Sequence, residues 1–117
     1  MPAPVQDYAS RSFAFACEIV RLYRAIEHHV PGSIARQVLR AGTSIGANLE
    51  EAKSAHSRKD LAAKFTIALR EARETAYWLR LLAATSLTPE HEVAAPLTEP
   101  NELVAILTSS VKRLRTG

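Results

Sequence analysis

Few side chains in this sequence have the types and spacing that chemistry needs. The four histidines, His28, His29, His56 and His91, are the first candidates for metal binding or proton transfer. A di-metal site in a helical protein needs inward glutamates and Glu-x-x-His pairs, because a separation of three residues puts both ligands on one helix face. None of the four histidines has an acidic residue three positions before it. Cys17 is the lone cysteine, so neither a zinc site built on cysteines nor an internal disulfide is available. The glycines at 32, 42, 46 and 117 lack the spacing of a phosphate-cradling loop. No metal and no cofactor are expected. One pair of catalytic type remains, Arg24 and His29, at an R-x4-H spacing.

Binding chemistry is better represented. Lys59, Arg70, Arg73, Tyr77 and Arg80 recur along one side of a helical stretch. Cations in such a stripe can track a phosphate backbone, and a tyrosine among them can stack a base. Lys53, His56, Arg58 and Lys64 thicken the charge nearby, and Lys112, Arg113 and Arg115 form a basic tail. The bland reading is a solvated face, with Arg70 and Glu74 forming an ordinary surface pair that contributes little. The net charge of +3 and the pI near 9.4 permit nucleic-acid binding without requiring it.

The same stretch has a second apolar side. With its seam placed at Ala72, the residues Ile67, Trp78 and Leu81 point away from the core, and Glu71 and Glu74 stand among them. A tryptophan-bearing patch is costly to leave in water. It marks an expected oligomer interface, with the glutamates meeting arginines across it. The alternative is that the proline-rich segment from Leu87 to Pro100 folds over the patch.

The elements that must position these residues are helical. Hydrophobic residues make up 47% of the chain, enough for a core and far from a disordered composition. A single domain over residues 1–117 is expected, with 1–9 a flexible N-terminal segment. Apolar positions at alternating spacings of three and four predict helices from about Ser10 to His29, Ile34 to Ala55, Arg58 to Thr85, and Glu99 to Arg115. Ser33 is the expected N-cap of the second helix, and Ser57 with Asp60 reads as a capping-box variant opening the third. Thr88 and Pro89 suggest a helix restart, which Pro96 and Pro100 then obscure. Four amphipathic helices with short connections give an all-α, antiparallel up-and-down four-helix bundle. No apolar run is long enough to span a membrane, no secretory signal is evident, and the lone cysteine fits a reducing cytoplasm.

The stretch "GTSIGANLEEA" needs its own account, since each mid-helix glycine costs about 1 kcal/mol relative to alanine. On a helical wheel Ala35, Gly42 and Gly46 form a smooth flank where another helix can approach closely. The opposite flank carries Gln37, Arg40, Ser44, Asn48 and Glu51. Arg40, Asn48 and Glu51 are the candidate polar network, at a helix or subunit boundary.

Two resemblances follow. The Arg24 and His29 spacing resembles the motif of HEPN-superfamily ribonucleases, where the two residues serve acid-base and phosphate-stabilising roles; Ala25 stands where a polar residue often follows the arginine. Far more extensive is the likeness of "RSFAFACEIVRLYRAI", "RQVLRAGTSIGANLEEA", "SRKDLAAKFTIALREARETAYWLRLL" and "ELVAILTSSVKRL" to the bacterial four-helix bundle family, also called the 23S rRNA intervening-sequence protein family. It covers about Arg11 to Arg115 in order. Many relatives have proline where this chain has Gly46. The resemblance implies an up-and-down bundle assembling into a ring-like homopentamer. It also implies kinship with the accessory protein of diversity-generating retroelements, which is pentameric, basic and nucleic-acid-binding. Arg40, Asn48, Glu51, Glu71, Glu74 and Arg80 match family-like polar positions, for which the family supplies no catalytic role. The expected function is a non-enzymatic homo-oligomer binding RNA or a ribonucleoprotein. The alternatives are a protein-interaction scaffold without nucleic-acid binding and, behind it, a HEPN-like ribonuclease.

Overall fold

The computed structural model describes residues 3–116. Four helices follow one another: α1 (Ala3–Ile26), α2 (Gly32–Ala52), α3 (Arg58–Ala84) and α4 (Glu90–Thr116). Short turns force each helix to run back along its predecessor. Val5 of α1, Arg58 of α3 and Leu114 of α4 accordingly line one hollow at the same end of the molecule. The bundle measures 45 × 21 × 20 Å.

The apolar stripes of α2 and α3 form the core, Ala72 among them as expected. Val38, Ile45, Leu49 and Ala52 of α2 meet Leu61, Phe65, Ala68, Ala72, Leu79 and Leu82 of α3, with Leu103 and Leu107 supplied by α4. Each large aliphatic side chain taken from water here contributes roughly 1.5–3 kcal/mol. On α1 the buried line is Phe15, Ile19, Leu22 and Ile26, while Ala16 and Tyr23 are only half-buried.

The close approach expected beside Gly42 and Gly46 is made by α1. A Cβ on Gly46 would stand 3.3 Å from the backbone carbonyl carbon and oxygen of Ser12, and one on Gly42 only 2.7 Å from Cγ1 of Ile19. The missing side chains let two helix backbones pack where alanines would hold them apart.

The ends of the helices differ from the expectations. Helix α1 begins at Ala3 rather than Ser10, because Val5 and Ala9 belong to the core and extend its apolar line by two turns. It ends at Ile26, short of His29, and α2 ends at Ala52, short of Ala55. The residue before α2 is Pro31, and no side chain caps that helix, so Ser33 lies inside it. Ser57 does cap α3, accepting from the Asp60 N–H at 3.0 Å, and the Asp60 carboxylate accepts from the His56 N–H at 3.1 Å. Thr88 is buried with its hydroxyl unbonded, so it does not cap α4. That helix starts at Glu90 and carries both Pro96 and Pro100 inside it. Neither proline can donate to the carbonyl four residues back. Pro100 is buried, and tertiary packing overrides the local penalty.

Packing is extensive between α1 and α2, α2 and α3, and α3 and α4, but sparse between α1 and α4. The open seam is pinned by Arg11, whose Nε and Nη2 donate to Glu99 at 2.5 and 2.7 Å, with Glu102 at 3.3 Å. The hydrogen bonds to Glu99 raise the Arg11 pKa above its ordinary value, outweighing the burial that opposes it.

Candidate nucleic-acid and subunit interfaces

Lys59, Arg70, Arg73, Tyr77 and Arg80 are all exposed on α3. Thr66 shows which way part of this stripe faces: its hydroxyl accepts a bond from Nη2 of Arg115 on α4, at 3.1 Å. Lys59, Arg73 and Arg80 stand whole pairs of turns from Thr66, so they share its side of α3. The basic ridge therefore follows the α3–α4 seam, with Arg70 and Tyr77 on its outer shoulder. None of its cations is joined to a carboxylate among the described residues. Arg70 in particular does not pair with Glu74. Tyr77 is 49% exposed and stands nearly perpendicular to the Trp78 ring, with ring centroids 5.2 Å apart.

Of Lys112, Arg113 and Arg115, read from the sequence as a tail, the two arginines stand in the last turn of α4 and lie beside the start of α3. Arg58 joins the two, donating to the carbonyls of Leu114 and Arg113 at 3.0 Å each. Those carbonyls end a helix and lack intrahelical donors.

The carboxylates of α3 face the other way. Arg40 of α2 reaches across to them, with Nη1 at 3.1 Å from Glu71 and Nη2 on Glu74, while its Nε donates to Gln37 at 2.9 Å. Glu74 also accepts the Trp78 indole N–H at 3.0 Å. Desolvation works against the Arg40 charge, but the bonds and charges of Glu74 and Glu71 still raise its pKa above the ordinary value. The arginine partner of these glutamates is thus supplied within the chain, where the sequence pointed to one across a subunit boundary. Of the expected network, only Arg40 joins it. Asn48 bonds its own helix at the Ser44 carbonyl, 2.8 Å away, and Glu51 is exposed with no partner among the described residues.

The expected interface patch is partly closed. Ile67 is exposed, but Trp78 packs half-buried against the core, and Leu81 is half-buried. The proline-bearing part of α4 does not cover this patch, which lies on the α2 side of α3. The largest exposed apolar side chain was missed: Phe13 on α1 is 66% exposed, with Val20 beyond it on the same side. Their seven-residue spacing, off the α1 seam, was the available signal.

Arg24 and His29 are both exposed, the first in the last turn of α1 and the second in the turn after it, and no hydrogen bond joins their side chains. No cluster of metal-ligating residues forms among the described residues, and no described helix is long and apolar enough to cross a membrane.

These features define an all-helical bundle whose distinctive chemistry sits on its outer faces. The chain belongs to the 23S rRNA-intervening sequence protein family, whose model matches residues 6–109. A crystallised protein of unknown function from the S23 ribosomal protein family of Bacteroides thetaiotaomicron VPI-5482 is 39% identical to it, with a TM-score of 0.84. That match covers 90% of this chain and 98% of the other. No curated protein matches the sequence.

Proposed function

We propose that the protein is a non-enzymatic, cytoplasmic homo-oligomer, a pentameric ring by resemblance, that binds RNA or a ribonucleoprotein through the α3–α4 ridge. One observation carries this reading. The ridge cations Lys59, Arg70, Arg73 and Arg80 have no carboxylate partner among the described residues, while Glu71 and Glu74 on the same helix are both taken by Arg40. The segregation leaves one face free to exchange counterions with a phosphate backbone. Repetition around a ring would turn modest contacts into useful avidity.

The test is binding of single-stranded rRNA fragments across a salt series. Arg70→Glu with Arg73→Glu is expected to abolish binding at moderate salt. The milder pair Arg70→Gln with Arg73→Gln should flatten the slope of log affinity against log salt by about 0.7 per charge removed. Wild-type protein that shows no shift at low salt would remove the reading.

The scaffold alternative is favoured by a different observation, the exposed Phe13, Val20 and Ile67. It gains ground if a protein partner remains bound after the Arg70→Glu and Arg73→Glu changes.

A further inference from the structure

Where α3 begins and α4 ends, a hollow of ≈ 540 Å³ is lined by Arg58, Lys59, Ala62, Ala63, Leu114 and Arg115. Its lining carries three cations and no acid. The way these arginines are held sets them apart. Arg11 and Arg40 each lie against two carboxylates. Arg58 is fixed instead by two backbone carbonyls and Arg115 by the Thr66 hydroxyl. A guanidinium held by neutral oxygens keeps its whole charge. It has also given up rotamer freedom that a ligand would otherwise have to remove. The acidic residue nearest in sequence, Asp60, is engaged with the His56 N–H and the α3 cap. Ala62, Ala63 and Leu114 supply apolar surface beside the charges.

We infer that this hollow binds a phosphate ester. Lys59 and Arg115 are the contacting cations, and Arg58 is the positioning residue that ties the end of α4 beside them. The hollow continues the α3–α4 ridge, so the source of the phosphate is the backbone of a bound RNA strand. That choice of source rests on the RNA reading above; the phosphate site itself does not.

Two probes separate these claims, both on the full chain. Inorganic pyrophosphate titrated into ¹⁵N-labelled protein is expected to shift the backbone amides of Ala62, Ala63 and Leu114 saturably. The paired change Lys59→Gln with Arg115→Gln should remove that response. For a short single-stranded RNA followed by anisotropy, the same pair should weaken binding on the order of tenfold at moderate salt. The pair Arg73→Gln with Arg80→Gln should leave the pyrophosphate response intact. Absence of saturable shifts in the wild type overturns the site, even if RNA binds elsewhere, and leaves these cations to neutralise the α4 carbonyls. Shifts with pyrophosphate but unchanged RNA affinity in Lys59→Gln, Arg115→Gln overturn the strand as the source. Shifts without any RNA binding by the wild type sink the RNA reading and leave the phosphate site standing.

Discussion

Gly46 and Gly42 set the distance between α1 and α2, and the sign of an alanine substitution there is informative. In an unhindered helix interior, alanine would stabilise by about 1 kcal/mol. Here a Cβ on Gly42 would meet Ile19, which is wholly buried and has no room to turn aside. Overpacking of that kind costs typically 1–3 kcal/mol. Gly42→Ala is therefore expected to lower stability in urea unfolding by about 1–2 kcal/mol, and Gly46→Ala by less, because α1 need shift only slightly. A rise in stability for both would mean that α1 does not press on this flank. At this scale the sequence was informative about kind and silent about partner. Two glycines one turn apart imply a close approach, but nothing local says which helix arrives. Arg40 was likewise recognisable as a network residue. Its partners lie more than thirty positions away on α3, a separation that no local spacing reveals. Glu51 and Asn48 were grouped with it because they share a helix flank, and flank alone does not bring side chains together.

Helix α4 is the element where local rules and tertiary context disagree most. Proline in a helix interior costs about 3 kcal/mol, so Pro96 and Pro100 hid the first turns of α4 from any reading by propensity. The structure runs the helix through both because Val93, Pro100 and Leu103 are buried on one side. The carbonyls of Glu92 and Pro96 lose their usual donors, and α1 packs only sparsely there. Hydrogen exchange should accordingly be fastest, among the four helices, between Glu90 and Asn101. Pro96→Ala should slow it and raise stability by about 1–2 kcal/mol, less than the full helix-interior penalty because some packing is lost. Exchange as slow there as in α2 would show that the seam is better closed than the packing indicates. The α3 stripe, by contrast, was legible as spacing because α3 is long and regular. Its direction was not, since the bonds that tie that side of α3 to α4, from Arg115 to Thr66 and from Arg58 to the Leu114 and Arg113 carbonyls, join residues about fifty positions apart.

At the scale of the whole molecule, apolar exposure is divided between two separate patches. Phe13 and Val20 lie on α1 and Ile67 on α3, two helices that are not neighbours in the bundle. A two-fold dimer uses one self-complementary patch, whereas a closed ring needs two different patches that meet head to tail. On the ring reading, Phe13→Asp and Ile67→Asp each reduce the solution mass to that of a monomer. Mixing the two variants then restores a dimer and nothing larger, because only one intact junction can form. Light scattering checks this; a dimer that persists in either variant alone contradicts the arrangement. The sequence disclosed the α3 half of this pair through Trp78 and Ile67. It concealed the α1 half, since Phe13 resembles a core residue until the seam of α1 is fixed by Phe15 and Ile19.

The sparse contact between α1 and α4 has a mechanical consequence. Ala3 and Thr116 lie at the same end of the bundle, on the two neighbouring helices that hold each other least. A load applied to both would open the molecule like a zip. Arg11 and its carboxylates would part first, and after them the contacts would yield turn by turn, with no extended surface sheared at once. A tether on α2 and α3, by contrast, would load two helices that share much of the core.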